Sequence, residues 1–536
     1  MDYRKRKLSP LSVTNSSFDL DSTLTQRTKM LTLTGVLLAM FLGALDQTIV
    51  STALPRIVAD LNGLSRLTWI STAYLVASTA LVPVYGKLAD MYSRRKIEIV
   101  AILIFLFGSA LCGLAGEFGN LPLIGDGMNQ LVAFRAIQGL GGAGLFAMAF
   151  IVIADLFPPA ERGKYQGFTG AVFGTSSVLG PFLGGLLTDH GTGLLPGVEG
   201  WRLVFYVNLP LGALALWFIL TQMPALRPRG QAQPLDYLSA LFLMAGLVPL
   251  VVALQLPRAR YGWSAPLTLG LLALAVLMLT LFVVRSRRSP NPILDLHLFQ
   301  NPVFRTAVTA IFLLGGAFLS IILFEPLFMV KVVGVSATRA GVSLIPLSLG
   351  VVVGSLVAGR MVSRFGHYKR WMLGGGLIVL LGLSLLATMP VTVSYGQVLA
   401  YVLLTGLGLG PSMPLYTLAI QNAVEMRQLG QATSAAQFFR QIGGAIAAAL
   451  LGAVLTLHLG ASLPGPTAPD RPLMAAEVSA PAPITRPVAP EVREAFVQAI
   501  HHVYGWTSLL VAAGWLATLL IPELPLRKTN APARAV

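Results

Sequence analysis

Fourteen times along this chain an apolar run of bilayer-spanning length gives way to a short polar segment. A run of about 20 apolar residues is what a helix needs to cross the hydrocarbon core, so the pattern demands a polytopic helical membrane protein. Composition agrees: 55% of the 536 residues are hydrophobic and 11% are charged, against about 25% charged in soluble domains. The predicted spans are 30–52, 68–90, 97–116, 130–155, 165–187, 203–222, 236–256, 266–285, 306–331, 340–362, 371–389, 396–422, 432–459 and 504–522. Residues 1–28 are polar, and the first apolar run is too long for a signal peptide and lacks a small-residue cleavage site, so it is expected to be retained as a span.

The net charge of +16 does not point to nucleic acid, because the basic residues lie in the turns between spans. With the N-terminus inside, 26 of the 38 Lys and Arg fall on cytoplasmic segments or span ends, 10 on outside ones, and Arg135 and Arg440 deeper within spans. That excess puts both termini in the cytoplasm and the protein in the cell membrane, inner or plasma. The single cysteine, Cys112, permits no internal disulfide. No P-loop motif, Cys/His metal pattern or Ser-His-Asp arrangement is present, so an enzyme, a metal site and a cofactor are not expected.

A basic turn organises the chain internally. Gly86-Lys-Leu-Ala-Asp90-Met-Tyr-Ser-Arg94-Arg95-Lys96 recurs loosely at Gly359-Arg-Met-Val-Ser363-Arg-Phe-Gly366-His-Tyr-Lys369, 273 residues later. Both copies follow an even-numbered span, which predicts a duplicated six-helix unit. The expected plan is a cytoplasmic tail 1–29, a first half 30–222, an inserted two-helix hairpin with linkers 223–303, a second half 304–522 and a tail 523–536. Residues 460–502 form a Pro- and Ala-rich extracytoplasmic loop, with Glu491 to His502 a short amphipathic helix leading into the last span. Two six-helix halves are a common transporter plan, with the substrate site between them near mid-membrane.

Charges inside spans are costly and mark function or pairing. Asp46 lies about 17 residues into the first span and Arg135 about six residues into the fourth, which enters from outside; at about 1.5 Å per residue they share a depth. They are expected to face each other or one water-filled cavity, where a carboxylate that alternates between protonated and ionised couples transport to protons. A static ion pair locking two helices is the competing reading. Glu325, in the outer half of span 9, is expected as a second proton site or a counter-charge for a cationic substrate. Arg440, flanked by Gln437 and Gln441, stands in the inner half of span 13. Span 5 carries Gly167, Gly170, Gly174, Gly180-Pro181 and Gly184-Gly185, and span 10 carries Gly350, Gly354 and Gly359. Small residues at such spacing predict a close seam between spans 5 and 10.

These residues resemble a known family. Leu45-Asp46-Gln47-Thr48-Ile49-Val50-Ser51-Thr52-Ala53-Leu54-Pro55, Gly86 to Lys96, Arg135-Ala-Ile-Gln138-Gly139, and Gly170 with Gly180-Pro181 and Gly184 are together similar to the signatures of the fourteen-helix drug:proton antiporters of the major facilitator superfamily. The resemblance covers nearly the whole chain and implies an all-α major facilitator fold. It implies that Asp46 is the proton-coupling carboxylate with Arg135 its modulator, and that Gly86, Asp90, Arg94 and Asp155 form a cytoplasmic conformational lock. Ser363 replaces the aspartate in the second copy, so the lock should be asymmetric. Asp46, Glu325, Gln138 and Arg440 are expected to line the substrate cavity, and the substrate to be a lipophilic, cationic, drug-like compound exported by a monomer. Export of lipids or amphiphilic metabolites, and a non-transporting sensor on the same fold, are the alternatives.

Overall fold

The computed structural model describes residues 24–63, 66–193, 197–226, 235–256, 261–462 and 490–529. Most of the tail 1–29 and the prolines of the 460–502 loop up to Pro487 lie outside the described residues. The helices in chain order are α1 (Gln26–Leu61), α2 (Leu67–Met91), α3 (Arg94–Gly113), α4 (Gly127–Leu156) and α5 (Pro159–His190). Next come α6 (Gly200–Gln222), α7 (Tyr237–Gln255), α8 (Pro266–Arg288), α9 (Pro302–Val333) and α10 (Arg339–Phe365). The last four are α11 (Tyr368–Ala387), α12 (Tyr395–Ala423), α13 (Leu429–Ser462) and α14 (Pro490–Leu519). Thirteen of the described helices, α1 to α13, are long and apolar enough to cross a membrane. The fourteenth expected span lies within α14.

Local chemistry sets the ends. Thr25 caps α1 by accepting from the Thr28 amide at 3.2 Å, and the helix stops at Asn62 in the left-handed region, φ 51°. Asp126 caps α4, accepting from Asn129 N at 2.9 Å, and pairs with Arg66 at 2.7 Å. Ser394 and Gln397 form a reciprocal capping box at the start of α12. Large apolar side chains such as Phe182, Trp217, Leu381 and Leu509 stand exposed on the outer faces, as a lipid-facing surface requires.

Two expectations are corrected. Glu491–His502 is not a separate amphipathic helix; it is the opening of α14, which runs unbroken into the last span because no Gly or Pro interrupts it before Gly505. The seam with α5 does not use Gly350 or Gly354. A Cβ at either would meet α12 instead, at Leu403, Leu407 and Gly410. Glycine spacing marks a close approach without naming the partner.

The hairpin α7–α8 packs on itself and against α2 and α13. Asp236 clasps it. Its carboxylate accepts from Ser239 N at 3.1 Å, Ser239 Oγ at 2.9 Å and Arg285 Nε, from the end of α8, at 3.1 Å. Burial opposes the charge, but hydrogen bonds from Ser289, Ser239 and Arg285 win and hold the carboxyl down at about 2. A lowered pKa stabilises the fold above the usual carboxylate range and ceases to do so as pH falls through about 2. Asp236→Ala should cost about 1 kcal/mol, the loss of an N-cap, read as faster amide exchange over the first turn of α7 at neutral pH. The difference from wild type should vanish near pH 2.

Candidate functional site

The most densely bonded polar cluster in the first half is built on α1, α3, α4 and α6. Asp46 is fully buried. Its Oδ2 accepts from Arg135 Nη1 at 2.5 Å, and its Oδ1 accepts from Gln138 Nε2 at 2.8 Å and Asn208 Nδ2 at 3.0 Å. Arg135 also donates to Gln138 Oε1 at 2.7 Å and to the Ile70 carbonyl at 3.3 Å, and its guanidinium lies 4.4 Å from the Tyr74 ring centroid. Asn208 passes the network on to Ser109 Oγ at 2.9 Å, and the Cys112 thiol reaches Gln138 Oε1 at 3.6 Å. The structure therefore brings Asp46, Arg135 and Gln138 together. Asn208 is the residue the sequence did not single out. It begins the second piece of α6, after a break at Val207; its signal would have been an amide inside an apolar span at the depth of Asp46.

A central cavity lies between the halves. Phe146 and Phe173 line it together with Phe318 of the second half, Phe173 and Phe318 packing edge to face at 5.6 Å. Gln47, Ser78, Ser412, Tyr416, Arg440 and Gln441 supply the polar lining. Asp46, Gln138 and Glu325 are not among the lining residues; Arg440 is. The geometry explains the split on α1, since successive helical residues point about 100° apart. Gln47 faces the cavity while Asp46 faces α4 and α6 behind its wall.

Glu325 is placed elsewhere, fully buried in the second half. Neither of its oxygens has a hydrogen-bond partner among the described residues, nor does the buried Tyr504 hydroxyl. Glu98, on α3, was not singled out from sequence and has the same buried, unpartnered carboxylate.

The third group lies at one end of the bundle, where the halves touch. Asp90 Oδ1 and Oδ2 accept from Gly430 N at 2.8 Å and Gln431 N at 2.9 Å, the first amides of α13. Those amides have no partner within their helix, and the helix dipole favours an anion there. Arg94 Nε donates to Asp155 at 2.8 Å and stands 4.0 Å from Asp90. Gly86 lies against Ser434 and the Gly430 carbonyl, so any side chain there would push α2 off α13. The second copy repeats the plan with a neutral group: Ser363 Oγ accepts from Lys164 N at 3.0 Å, near the start of α5. Further hydrogen bonds between the halves, Gln166 to Gln421 at 2.7 Å and Thr79 to Gln441 at 2.9 Å, lie between this end and mid-depth.

On α5 the glycines divide. Gly163, Gly167, Gly170 and Gly174 face α10 at Gly359, Ser355 and Ser348, whereas Gly180 and Gly184 face Thr48 and Thr52 of α1. Pro181 stands among the latter, in a helix that continues through it.

Comparison with known proteins accounts for this architecture. The model of the Major Facilitator Superfamily matches residues 36–448. The multidrug transporter protein MdtP of Bacillus subtilis is 34% identical over 537 aligned residues, covering 94% of this chain and 95% of that protein. Multidrug resistance protein 3 of the same organism is 38% identical over 423 residues, covering 79% and 78%. The solved structure of the proton:xylose symporter XylE superposes with a TM-score of 0.58 at 15% identity, covering 93% of this chain and 97% of that one. The chain belongs to the Major Facilitator Superfamily, a family of multi-pass membrane transporters and not of enzymes.

Proposed function

We infer that this chain exports lipophilic small molecules from the cytoplasm or inner leaflet in exchange for protons, by alternating access. The observation that carries the reading is the buried Asp46 carboxylate, bonded to Arg135, Gln138 and Asn208 one residue from the cavity-lining Gln47. Similarity to two multidrug proteins supports the substrate class. The halves 30–222 and 304–522 are the moving bodies, and 223–303 bridges them. Both termini are cytoplasmic in a cell membrane, which puts Asp90, Arg94 and Asp155 on the cytoplasmic face and makes this arrangement the one closed to the inside. Protonation of Asp46 from outside releases Arg135 and favours return to the inward-facing state; deprotonation accompanies substrate loading. The parts this cycle uses lie within one chain, so a monomer in the bilayer suffices. Glu325, off the cavity, remains the candidate for a second proton site.

The cationic expectation leaned on Asp46 and Glu325 as cavity residues, together with aromatics near the spans. Neither lines the cavity, so the reading stands without that charge preference.

The test uses proteoliposomes holding the full chain and an imposed pH gradient. Movement is followed for three fluorescent lipophiles of one shape: pyrenebutyrate, pyrenebutanol and pyrenebutyltrimethylammonium. Uphill movement of at least one, stopped by collapsing the gradient, is expected. No gradient-dependent movement of any by folded protein overturns the reading.

A further inference from the structure

The cavity's charge points to a substrate class. Of its lining residues one is charged, and it is a cation, Arg440. An arginine carries five N–H donors in a fixed fork. The other deeply set arginines named here each bind a carboxylate or two backbone carbonyls. Arg135 holds Asp46, Arg94 holds Asp155, and Arg202 donates to the Gly113 and Ala115 carbonyls and pairs with Glu117 and Glu199. Arg162 donates to the Phe157 and Ala154 carbonyls. Arg440 differs. Its one hydrogen bond goes to Gln437 Oε1 at 2.6 Å, on the preceding turn of its own helix, and its Nε has no acceptor among the described residues. No carboxylate lies within ion-pair distance of it among the described residues.

A structural role does not account for this guanidinium, because a bond within one helix ties nothing together. Gln437 fixes one edge of the fork, and neighbouring Gln441 is engaged by Thr79 across the halves. An unpaired cation in a membrane interior is expensive and marks a substrate path. The carboxylate that would have neutralised the cavity, Asp46, is turned away and spent on Arg135. The same lining includes the rings of Phe146, Phe173 and Phe318. A charged head and an aromatic wall in one chamber fit an amphiphile with an anionic head.

Resting on the exporter reading above, we propose that the preferred substrates are lipophilic acids carried as anions, with Arg440 binding the ionised head while the aromatic wall takes the apolar body. Charge-assisted, forked hydrogen bonds to a carboxylate are the strong kind, so the preference should be large. Small aromatic acids and lipid-derived fatty acids share this chemistry.

The test measures equilibrium binding of the same three pyrene probes to the purified full chain in detergent, with no gradient. Wild type should bind pyrenebutyrate about tenfold more tightly than pyrenebutanol, and the ammonium probe most weakly. Arg440→Lys should keep most of that preference, Arg440→Gln should erase it, and Arg440→Glu should reverse it toward the ammonium. Wild type favouring the ammonium, or Arg440→Gln leaving the ratio unchanged while Arg440→Lys binds normally, overturns the proposal. Displacement of pyrenebutyrate by naphthoate assigns the site to aromatic acids and by oleate to lipid-derived ones; displacement by neither overturns it. Because no gradient enters, lost proton coupling leaves these ratios intact, so failure of the exporter reading is seen separately in the proteoliposomes.

Discussion

Asp46→Asn is expected to abolish uphill, pH-driven transport in proteoliposomes while leaving downhill movement and probe binding largely in place. The substitution keeps the size of the side chain but removes the titrating group. It also leaves the Arg135 guanidinium, buried to 1% exposure, without its anion. Breaking a buried pair from one side costs about 3–5 kcal/mol, so lost transport alone does not distinguish uncoupling from misfolding. The double variant Asp46→Asn/Arg135→Gln separates the two. It removes both charges and keeps amides that Gln138 and Asn208 can bond. Its thermal stability should recover most of the loss, and its uphill transport should stay at zero. A single variant that still concentrates substrate against its gradient would remove Asp46 from the coupling step.

The second large effect is conformational. Gly359→Ala places a methyl group inside contact distance of the Gly163 carbonyl, at the narrowest crossing of α5 and α10. The neighbour is backbone, which cannot rotate aside, so the helices must part. Overpacking of this kind costs about 1–3 kcal/mol. Here the cost falls on the state closed at the Asp90 end, so the population should move about 5- to 150-fold toward opening there. Spin labels at Lys164 and Arg364, exposed on α5 and α10 at this end, report it as a lengthened distance distribution. Gly185→Ala, on the same helix but facing open space, should change nothing. Equal distances in the wild type and Gly359→Ala would show that the seam is not what holds this face shut.

How far the sequence carried this site depends on the kind of residue. Charges in apolar spans announce themselves, and counting residues from span ends put Asp46 and Arg135 at one depth; the structure joins them at 2.5 Å. Asp90 was legible only through the resemblance; that its carboxylate takes the first amides of α13 is shown by the structure. Amides gave a weaker signal: Gln138 stood out only through its motif with Arg135, and Asn208 was passed over. Asn208 sits where α6 breaks, and nothing in the local pattern shows that the break aims it at Asp46. Which way a side chain turns was also hidden. Asp46 and Arg440 are both charges within spans, yet one is bonded behind the cavity wall and the other stands in the cavity with most of its donors unused. That difference is set by four neighbouring helices, not by spacing along one.

The placement of Gln47 and Asp46 on different faces of α1 has a pharmacological consequence. A transporter that used one carboxylate for both proton and substrate would alter its energetics whenever its specificity changed. In the exchange proposed above, the recognition surface and the coupling carboxylate occupy different faces of one rod, about 100° apart. Substitutions at Leu75, Phe146 or Phe318 are free to broaden or narrow the range of compounds handled without rewriting the exchange ratio. On that proposal, an inhibitor that fills the chamber is easier to escape by substitution than one that holds the Asp46 network in place.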